Sequence, residues 1–280
     1  MDAKIAITIR SFDSTQSLLT SFQDIGEITY INETGKHLSE GELCKAVENV
    51  NGIIAGTEKF KRHLFESSPN LRVISHVGVG LDSIDVDAAQ EHGVIVVNTP
   101  DAPIQAVAEH TLALIFAVLK RITIYNENIQ RGEYTVKSVL LLNGRSVRIV
   151  GLGQIGRKVA EMLECLGCTI IYYDHFMTEK LDNMWRHMRS LYELLESAEI
   201  VTLHLPSQKD NKLILDKKAF KRCRQGMILI NTTRGSLIDE SALIQAIEND
   251  IILGVGLDVF PFEPYTGKLL DYPQVVTPLM

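Results

Sequence analysis

The chain has 280 residues, of which 45% are hydrophobic, and a formal net charge of −7 at pH 7. This length accommodates two domains of ordinary size, each with its own core. The acidic balance, without an evident basic face, argues against nucleic acid as a partner, and no apolar run approaches the length that spans a membrane.

The first hundred residues alternate between short β-rich runs and helical stretches. Such alternation predicts an open parallel sheet with helices on both faces. Because the N-terminus goes directly into a strand pattern, without a charged leader and an apolar stretch, we expect a cytoplasmic location. The predicted strands cover residues 5–9, 28–31, 52–55, 73–76 and 94–97, and the predicted helices cover residues 14–22, 40–47, 62–67 and 85–92.

The first domain is predicted to end at Asn98, because Pro100 interrupts the pattern. The chain would then consist of domain 1–98 and domain 99–280. A long helix is predicted over residues 102–121, and it is apolar around most of its circumference. Such a helix must be buried on more than one side, inside the fold or against another subunit, and the second possibility leads to the hypothesis of a homodimer.

Residues 146–174 follow the order strand, glycine turn, helix and strand. The two β runs cover residues 147–150 and 169–173, and the helical pattern between them has one apolar face. This is the order of a dinucleotide-binding unit.

The glycines of this stretch have the spacing G-x-G-x-x-G, and each has a physical task. Gly151 makes the tight turn, Gly153 lets a pyrophosphate approach the backbone, and Gly156 lets helix and strand pack closely. The helix N-terminus supplies N–H groups to the phosphates. Asp174 would accept hydrogen bonds from the adenosine ribose and repel a 2′-phosphate, so the predicted cofactor is NAD rather than NADP.

The four cysteines are scattered rather than arranged as a disulfide framework. Cys165 and Cys168 form a C-x-x-C pair, but no second pair accompanies them with zinc spacing. Buried or partly buried thiols are therefore predicted here, and no metal site.

The β–α alternation resumes after this unit. The second domain is therefore predicted to be a doubly wound parallel sheet of the Rossmann type. Its further strands are predicted at residues 200–204, 227–231 and 254–257, with helices at 190–197, 216–222 and 239–249.

Seven stretches of the chain carry a further signal: HVGVGLDSID (76–85), NTPDAPIQAVAEH (98–110), GLGQIGRKVA (151–160), VTLHLP (201–206), INTTRGSLIDE (230–240), GVGLDVFPFEP (254–264) and VVTP (275–278). In order and spacing they resemble the D-isomer-specific 2-hydroxyacid dehydrogenases, and most of all their phosphoglycerate dehydrogenase-like branch. The resemblance covers almost the whole chain. It implies a flavodoxin-like substrate domain and a Rossmann NAD-binding domain, which together transfer a hydride between NAD and a small D-2-hydroxy acid such as 3-phosphoglycerate.

The resemblance also implies roles for individual residues. Arg234 matches the arginine that binds the substrate carboxylate and polarises the carbonyl, a task that suits the two parallel hydrogen bonds of a guanidinium. Glu263 matches the catalytic carboxylate, and Asp258 matches the acid that contacts the nicotinamide carboxamide. The backbone amides of residues 77–79 resemble a cradle for the substrate carboxylate, although a plain glycine turn is the competing interpretation.

Further residues match positions that line the cofactor in the family. His204 among them also fits a core histidine on an apolar strand, and both interpretations stay open. The candidates in these two sets are Val77, Gly78 and Val79 for the substrate, and Gln154, Ile155, His204, Leu205, Pro206, Thr232 and Thr233 for the cofactor.

The chain departs from the family pattern at Leu279. The family has a histidine directly after the T-P of V-x-T-P and continues for a few dozen residues. General acid–base help contributes about 10² to 10⁴ in rate, and leucine offers none, although Glu263 could act directly as acid or base. Either the sequence is a shortened ordinary enzyme, or it is a variant that keeps NAD binding as a regulatory, corepressor-like protein.

A phosphorylated substrate would require cations near the first-domain cleft. Surface solvation is the competing interpretation of the available side chains. The candidates are Arg10, Lys59, Lys61 and Arg62.

Overall fold

The computed structural model describes residues 3–10, 12, 19–22, 24–134, 138–177, 185–206 and 213–278. The chain divides into two compact units, unit 1 (Met1–Pro103) and unit 2 (Ile104–Met280). The division follows Pro103, whereas the sequence suggested Asn98. Thr99 is still bound within unit 1, because its hydroxyl accepts a hydrogen bond from the N–H of Gly78 at 2.9 Å.

Unit 1 contains a five-stranded sheet in which every pair of neighbours is parallel. Its strands are β1 (Ala3–Ile7), β2 (Gly26–Ile31), β3 (Gly52–Ala55), β4 (Val73–His76) and β5 (Ile95–Asn98). The spatial order β2-β1-β3-β4-β5 is that of flavodoxin-like doubly wound folds. The predicted fold class of this unit is therefore confirmed.

The helices of unit 1 begin at recognisable caps. Ser39 and Glu42 form a capping box at the start of the first helix, and the Asp85 side chain accepts from the Ala88 N–H at the start of the third. The predicted helix at residues 14–22 falls largely outside the described residues. The helices are α1 (Glu40–Val47), α2 (Arg62–Ser67) and α3 (Val86–Glu91).

Unit 2 contains a seven-stranded sheet, again parallel throughout. Its strands are β6 (Ser146–Val150), β7 (Thr169–Tyr173), β8 (Arg186–His187), β9 (Ile200–Leu203), β10 (Met227–Asn231), β11 (Ile252–Leu257) and β12 (Val275–Val276). The spatial order β12-β11-β10-β9-β6-β7-β8 is the Rossmann order, extended by β12 at one edge. This confirms the predicted Rossmann fold, while β8 was not predicted because two residues carry no periodic signal.

The helices of unit 2 include one that the sequence did not predict. Arg121 has a left-handed φ of 52°, which separates the long predicted helix from a second helix directly after it. That second helix has no buried residue, so it lacks the apolar periodicity that would reveal it. The helices are α4 (Ile104–Lys120), α5 (Ile122–Gln130), α6 (Gln154–Cys165), α7 (Leu191–Glu196), α8 (Lys217–Phe220) and α9 (Glu240–Glu248).

Helix α4 packs against α6, β10 and β11 within unit 2. Two side chains of α4 lie over glycines of β11. A Cβ on Gly254 would be 2.4 Å from Cγ1 of Val118. A Cβ on Gly256 would be 3.1 Å from Cβ of Leu114. The apolar residues of α4 are thus largely buried inside this unit. The homodimer stays a prediction.

None of the helices in the described part of the chain combines the length and the apolarity needed to cross a membrane.

The contact between α4 and β11 is tested by Gly254→Ala. The added methyl meets the β-branched Val118, whose rotamer is restricted in a helix, so we expect the free energy of unfolding to fall by about 1–3 kcal/mol. Urea denaturation of the whole chain measures this change. The matched control is Gly41→Ala, because Gly41 lies on α1 with open space around it, and that substitution should leave stability equal or raise it. An unfolding free energy unchanged by Gly254→Ala would contradict the packing.

Candidate active site

The carboxyl ends of five adjacent strands of unit 2 lie in register, in the row Tyr173, Val150, Leu203, Asn231 and Leu257. The loops that follow therefore begin at one level on one edge of the sheet. The strand order reverses between β6 and β9, which is where doubly wound sheets bind ligands. The first loop residues are the predicted Asp174, Gly151, His204, Thr232 and Asp258.

The turn between β6 and α6 contains three glycines. At two of them the fold leaves no space for a Cβ atom, and at the third it does. Gly151 has a φ of +93°, and a Cβ on it would lie 2.5 Å from the carbonyl oxygen of His204. A Cβ on Gly156 would lie 2.2 Å from the carbonyl oxygen of Gly151. Gly153 has nothing within 4 Å of a Cβ position, so the space beside it is open.

This turn fits the pyrophosphate of a dinucleotide. The open space at Gly153 lies directly before the first turn of α6, which contains Gln154 and Ile155. Backbone N–H groups of a first helical turn have no acceptor within the helix and favour an anion. A phosphate could therefore approach the backbone where a side chain would otherwise stand.

Asp174 has a structural role that the sequence did not reveal. Its Oδ2 accepts from the Leu152 N–H at 2.8 Å, and its Oδ1 accepts from the N–H groups of Phe176 at 2.9 Å and Met177 at 3.2 Å. These bonds connect the glycine turn to the loop after β7. A carboxylate offers about four lone-pair positions, so capacity for a ribose hydroxyl remains beside these three bonds.

His204 is buried at the end of β9, and its backbone carbonyl closes over Gly151. Its Nε2 lies 2.9 Å from the hydroxyl of Thr202, and its Nδ1 is buried without a partner in the described part of the chain. Burial lowers the pKa of His204 from 6.5 to about 3, so the ring is neutral at pH 7. Leu205 is half-buried and Pro206 is exposed in the loop that follows.

Asn231 shapes the loop that carries Arg234, and sequence reasoning missed it. The residue is buried, its Oδ1 accepts from the N–H of Thr233 at 3.0 Å, and its Nδ2 donates to the Arg234 carbonyl at 2.8 Å. The Arg234 side chain donates to the Thr233 carbonyl at 2.7 Å. In the sequence, the signal that could have indicated this Asx turn is an asparagine at the end of a predicted strand.

The loops that carry Arg234 and Glu263 pack against each other through their backbones. A Cβ on Gly235 would lie 2.1 Å from the carbonyl carbon of Phe260 and 2.4 Å from the nitrogen of Pro261. Only glycine permits that approach. The candidate catalytic residues are thereby placed on neighbouring loops at the same sheet edge.

Glu263 itself is exposed. Its loop is anchored by aromatic contacts on both sides of it, because Tyr265 stacks on Phe260 with ring centroids 4.1 Å apart and contacts Phe262 at 5.3 Å. Offset aromatic contacts of this kind hold a loop beyond what its own turns supply. The carboxylate thus extends from an ordered loop towards solvent.

Helix α4 reaches this edge of the sheet with two consecutive polar side chains. The Nε2 atom of His110 lies 3.3 Å from Oδ1 of Asp258, and both side chains are largely buried. The hydroxyl of Thr111 lies 3.1 Å from that of Thr232. His110 ends one of the family-like stretches, but the sequence assigned it no part in the site.

In unit 1, the predicted substrate loop begins with Val77 after β4. The N–H of Val77 donates to the Ala55 carbonyl at 2.8 Å, and that of Gly78 donates to the Thr99 hydroxyl. For the Val79 N–H, no acceptor is found among the described residues. A carboxylate at this loop could therefore use the Val79 amide without breaking an internal hydrogen bond.

Comparison with known proteins agrees with this geometry. Residues 112–278 match the sequence model described as "D-isomer specific 2-hydroxyacid dehydrogenase, NAD binding domain". The chain belongs to the D-isomer specific 2-hydroxyacid dehydrogenase family. The matched segment lies in unit 2 and contains the glycine turn, so the cofactor of this 2-hydroxyacid dehydrogenase domain is NAD.

Relatives within the 2-hydroxyacid dehydrogenase family include D-3-phosphoglycerate dehydrogenase of Bacillus subtilis (strain 168), which is 37% identical over 228 residues, 80% of this chain and 43% of that protein. Hydroxypyruvate reductase of Thermotoga maritima is 32% identical over 250 residues, 87% of this chain and 81% of that protein. The crystal structure of a glyoxylate reductase from Paecilomyes thermophila is similar with a TM-score of 0.83 and 27% identity, over 99% of this chain and 88% of that one. The part of the chain that matches covers less than half the length of the B. subtilis protein.

Leu279, at the position of the family's histidine, lies outside the described residues. The described chain reaches Pro278, two residues after β12.

The neutral state of His204 predicts a specific pH dependence of stability. Its folded pKa lies below the unfolded value of 6.5, so its contribution is complete above pH 6.5 and declines as the pH falls towards 3. Between pH 7.5 and 5.5, the unfolding free energy of the wild-type chain should fall by about 1 kcal/mol more than that of His204→Gln, which has no titrating group. Urea denaturation at both pH values measures the difference, and parallel curves for the two proteins would contradict the burial of a neutral ring.

Proposed function

We propose that this chain transfers a hydride reversibly between C2 of a small D-2-hydroxy acid and NAD. Oxidation of the hydroxy acid gives the corresponding 2-oxo acid and NADH. The observation that carries the proposal is the contact at Gly235, where the Arg234 loop and the Glu263 loop meet. Both loops start at the edge of the sheet where the glycine turn also starts. The family membership of the chain supports the same reaction.

Arg234 is proposed to bind the substrate carboxylate and to polarise the C2 carbonyl. A guanidinium suits both tasks, since its planar fork binds a carboxylate through two hydrogen bonds and its charge stabilises negative charge that develops on the carbonyl oxygen. Asn231 would act by fixing the carbonyl of Arg234 and the amide of Thr233. In unit 1, we propose that the loop of Val77, Gly78 and Val79 contributes to carboxylate binding, mainly through the Val79 amide.

The cofactor supplies the acceptor or donor of the hydride when it is bound. The chain is proposed to bind the pyrophosphate at Gly151, Gly153 and Gly156 and the adenosine ribose at Asp174, whose charge would repel a 2′-phosphate. The nicotinamide end is assigned to Asp258. The further lining residues are Gln154, Ile155, His204, Leu205, Pro206, Thr232 and Thr233.

Hydride transfer to the 2-oxo acid leaves an alkoxide, which needs a proton, and the reverse reaction needs a base. Glu263 is the proposed carboxylate of this step, either directly or by orienting an imidazole in the position that Leu279 holds. A leucine cannot exchange a proton, so the proposal includes slow turnover for the chain as it stands.

For the substrate, we propose a small 2-hydroxy acid such as 3-phosphoglycerate. The relatives named above carry the names of a three-carbon acid with a phosphate, a three-carbon acid without one and the two-carbon acid glyoxylate, which supports a small substrate. Of the four candidate cations, Arg62 binds Glu91 through two contacts and Lys61 contacts Glu40 at 3.3 Å, both on the surface. Arg10 contacts His37, so Lys59 is the remaining candidate for a phosphate.

The role of Arg234 is tested by Arg234→Lys. A lysine keeps the charge but loses the planar fork, so kcat/KM for 2-oxo acids should fall by about 10² while the Kd of NADH stays within twofold. NADH oxidation is followed by absorbance with 3-phosphohydroxypyruvate, hydroxypyruvate, pyruvate and 2-oxoglutarate. The control Arg222→Lys changes an exposed arginine that contacts Glu196 and should leave kcat/KM unchanged. Equal kcat/KM for wild type and Arg234→Lys would exclude the proposed role.

A second candidate function is favoured by Leu279 itself: a regulatory, corepressor-like protein that binds NAD without turnover. Leu279→His separates the two. If the chain is a dehydrogenase, we expect NADH oxidation to rise by about 10² or more, because the substitution restores the acid–base group that the family has at this sequence position. Leu279→Gln introduces a polar side chain without a titrating group, and NADH oxidation by this variant should not rise. NADH binding in both variants without oxidation of any 2-oxo acid would favour the regulatory function.

The homodimer and the cytoplasmic location remain predictions from the sequence.

A further inference from the structure

We propose that His110 and Thr111 are positioning residues for the nicotinamide end of the cofactor site, and that they make this end select a carboxamide over a carboxylate. They would act through Asp258 and Thr232. The inference rests on the proposed function, which assigns these two residues to the cofactor. Neither His110 nor Thr111 is itself among the residues assigned there.

The Thr111 hydroxyl determines the direction of a hydrogen bond. Its oxygen lies 2.8 Å from the carbonyl of Val107 one turn earlier in α4, and a carbonyl can only accept, so the single hydroxyl proton of Thr111 is donated there. The oxygen of Thr232 lies 3.1 Å from that of Thr111, in the buried interior. Thr232 must therefore be the donor of this second bond, because Thr111 has no further proton.

The Thr232 oxygen consequently has no proton left for a ligand and can only accept. Asp258, when ionised, is also limited to accepting. The two residues begin adjacent loops, because Asn231 and Leu257, which precede them, are paired in the sheet. The N–H₂ group of a carboxamide can donate to both acceptors. A carboxylate has no proton to donate to them, and its negative charge would be repelled by an ionised Asp258.

His110 restrains the second acceptor. Its Nε2 atom is buried at 3.3 Å from Oδ1 of Asp258, with side-chain exposures of 16% and 11%. The distance is within the range of a hydrogen bond, but the alignment falls short of a regular one, so His110 restrains the position of the carboxylate by close contact. Helix α4 is a suitable base for such a contact, since it spans 17 residues and is packed against β10 and β11.

The test uses three ligands that differ only at the end in question: ADP-ribose, which lacks the ring, NAD, and nicotinic acid adenine dinucleotide, which has a carboxylate in place of the carboxamide. Binding to the whole chain is measured by calorimetry. Wild type should bind NAD about tenfold or more tightly than the carboxylate analogue. The Kd of ADP-ribose serves as an internal reference, because that ligand reaches only the glycine turn and Asp174.

Thr111→Val removes the acceptor of the Thr232 proton and keeps the side-chain shape. The preference for NAD over the carboxylate analogue should then fall several-fold, since Thr232 can turn and donate. Thr111→Ser, which retains the hydroxyl, should keep the wild-type preference. His110→Leu should raise the Kd of NAD about five- to twentyfold, and His110→Gln, which can place an N–H near the same carboxylate, should recover most of it. ADP-ribose should bind all four variants within twofold of wild type.

The outcomes distinguish the inference from the function on which it rests. If the variants weaken ADP-ribose and NAD by equal factors, the two residues only support the fold and the inference is overturned. An unchanged ligand preference in Thr111→Val overturns it as well. If wild type binds neither ADP-ribose nor NAD, the cofactor-site assignment fails, and the inference fails with it.

Discussion

The candidate site depends on the register of the parallel sheet in unit 2. Five neighbouring strands end in one hydrogen-bonded row, and the interior of that row is fully buried, so a slip of any of these strands would disrupt packing on both faces of the sheet. A slip of one residue would also turn every side chain to the other face of the sheet. The loops that follow therefore start at defined positions. The hydrogen bonds between the strands fix where the residues of the site lie relative to one another.

The loops then approach each other more closely than side chains would allow. Gly151, Gly156 and Gly235 each face another backbone segment at a distance that a Cβ atom could not occupy. Gly153 is different, because it faces open space and makes no such contact. Three glycines thus build the scaffold, and the fourth leaves room for a ligand, although all of them look alike in the sequence.

Several polar side chains at this edge support the loops and also have a proposed part in binding. Asp174 accepts three backbone hydrogen bonds, and the Thr232 hydroxyl lies within hydrogen-bonding distance of that of Thr111 on α4. A substitution at either position changes the conformation of a loop as well as the group offered to the cofactor. Loss of binding in such a variant does not by itself identify a direct contact, which is why ligands that reach different parts of the site are informative.

Local patterns in the amino-acid sequence were enough to predict most of the strands and helices and the family. Strands with apolar β-branched runs, the glycine spacing and Asp174 are local patterns, and the order of the motifs along the chain indicated the family that the comparisons confirm. It did not reveal the Asn231 turn, the contact at Gly235, or the engaged amides of Val77 and Gly78. Nor did it reveal the contact of Thr111 with Thr232, 121 residues further along the chain. Such contacts join residues that are remote in sequence, and only the packing of helix α4 and the register of the strands bring their atoms within hydrogen-bonding distance.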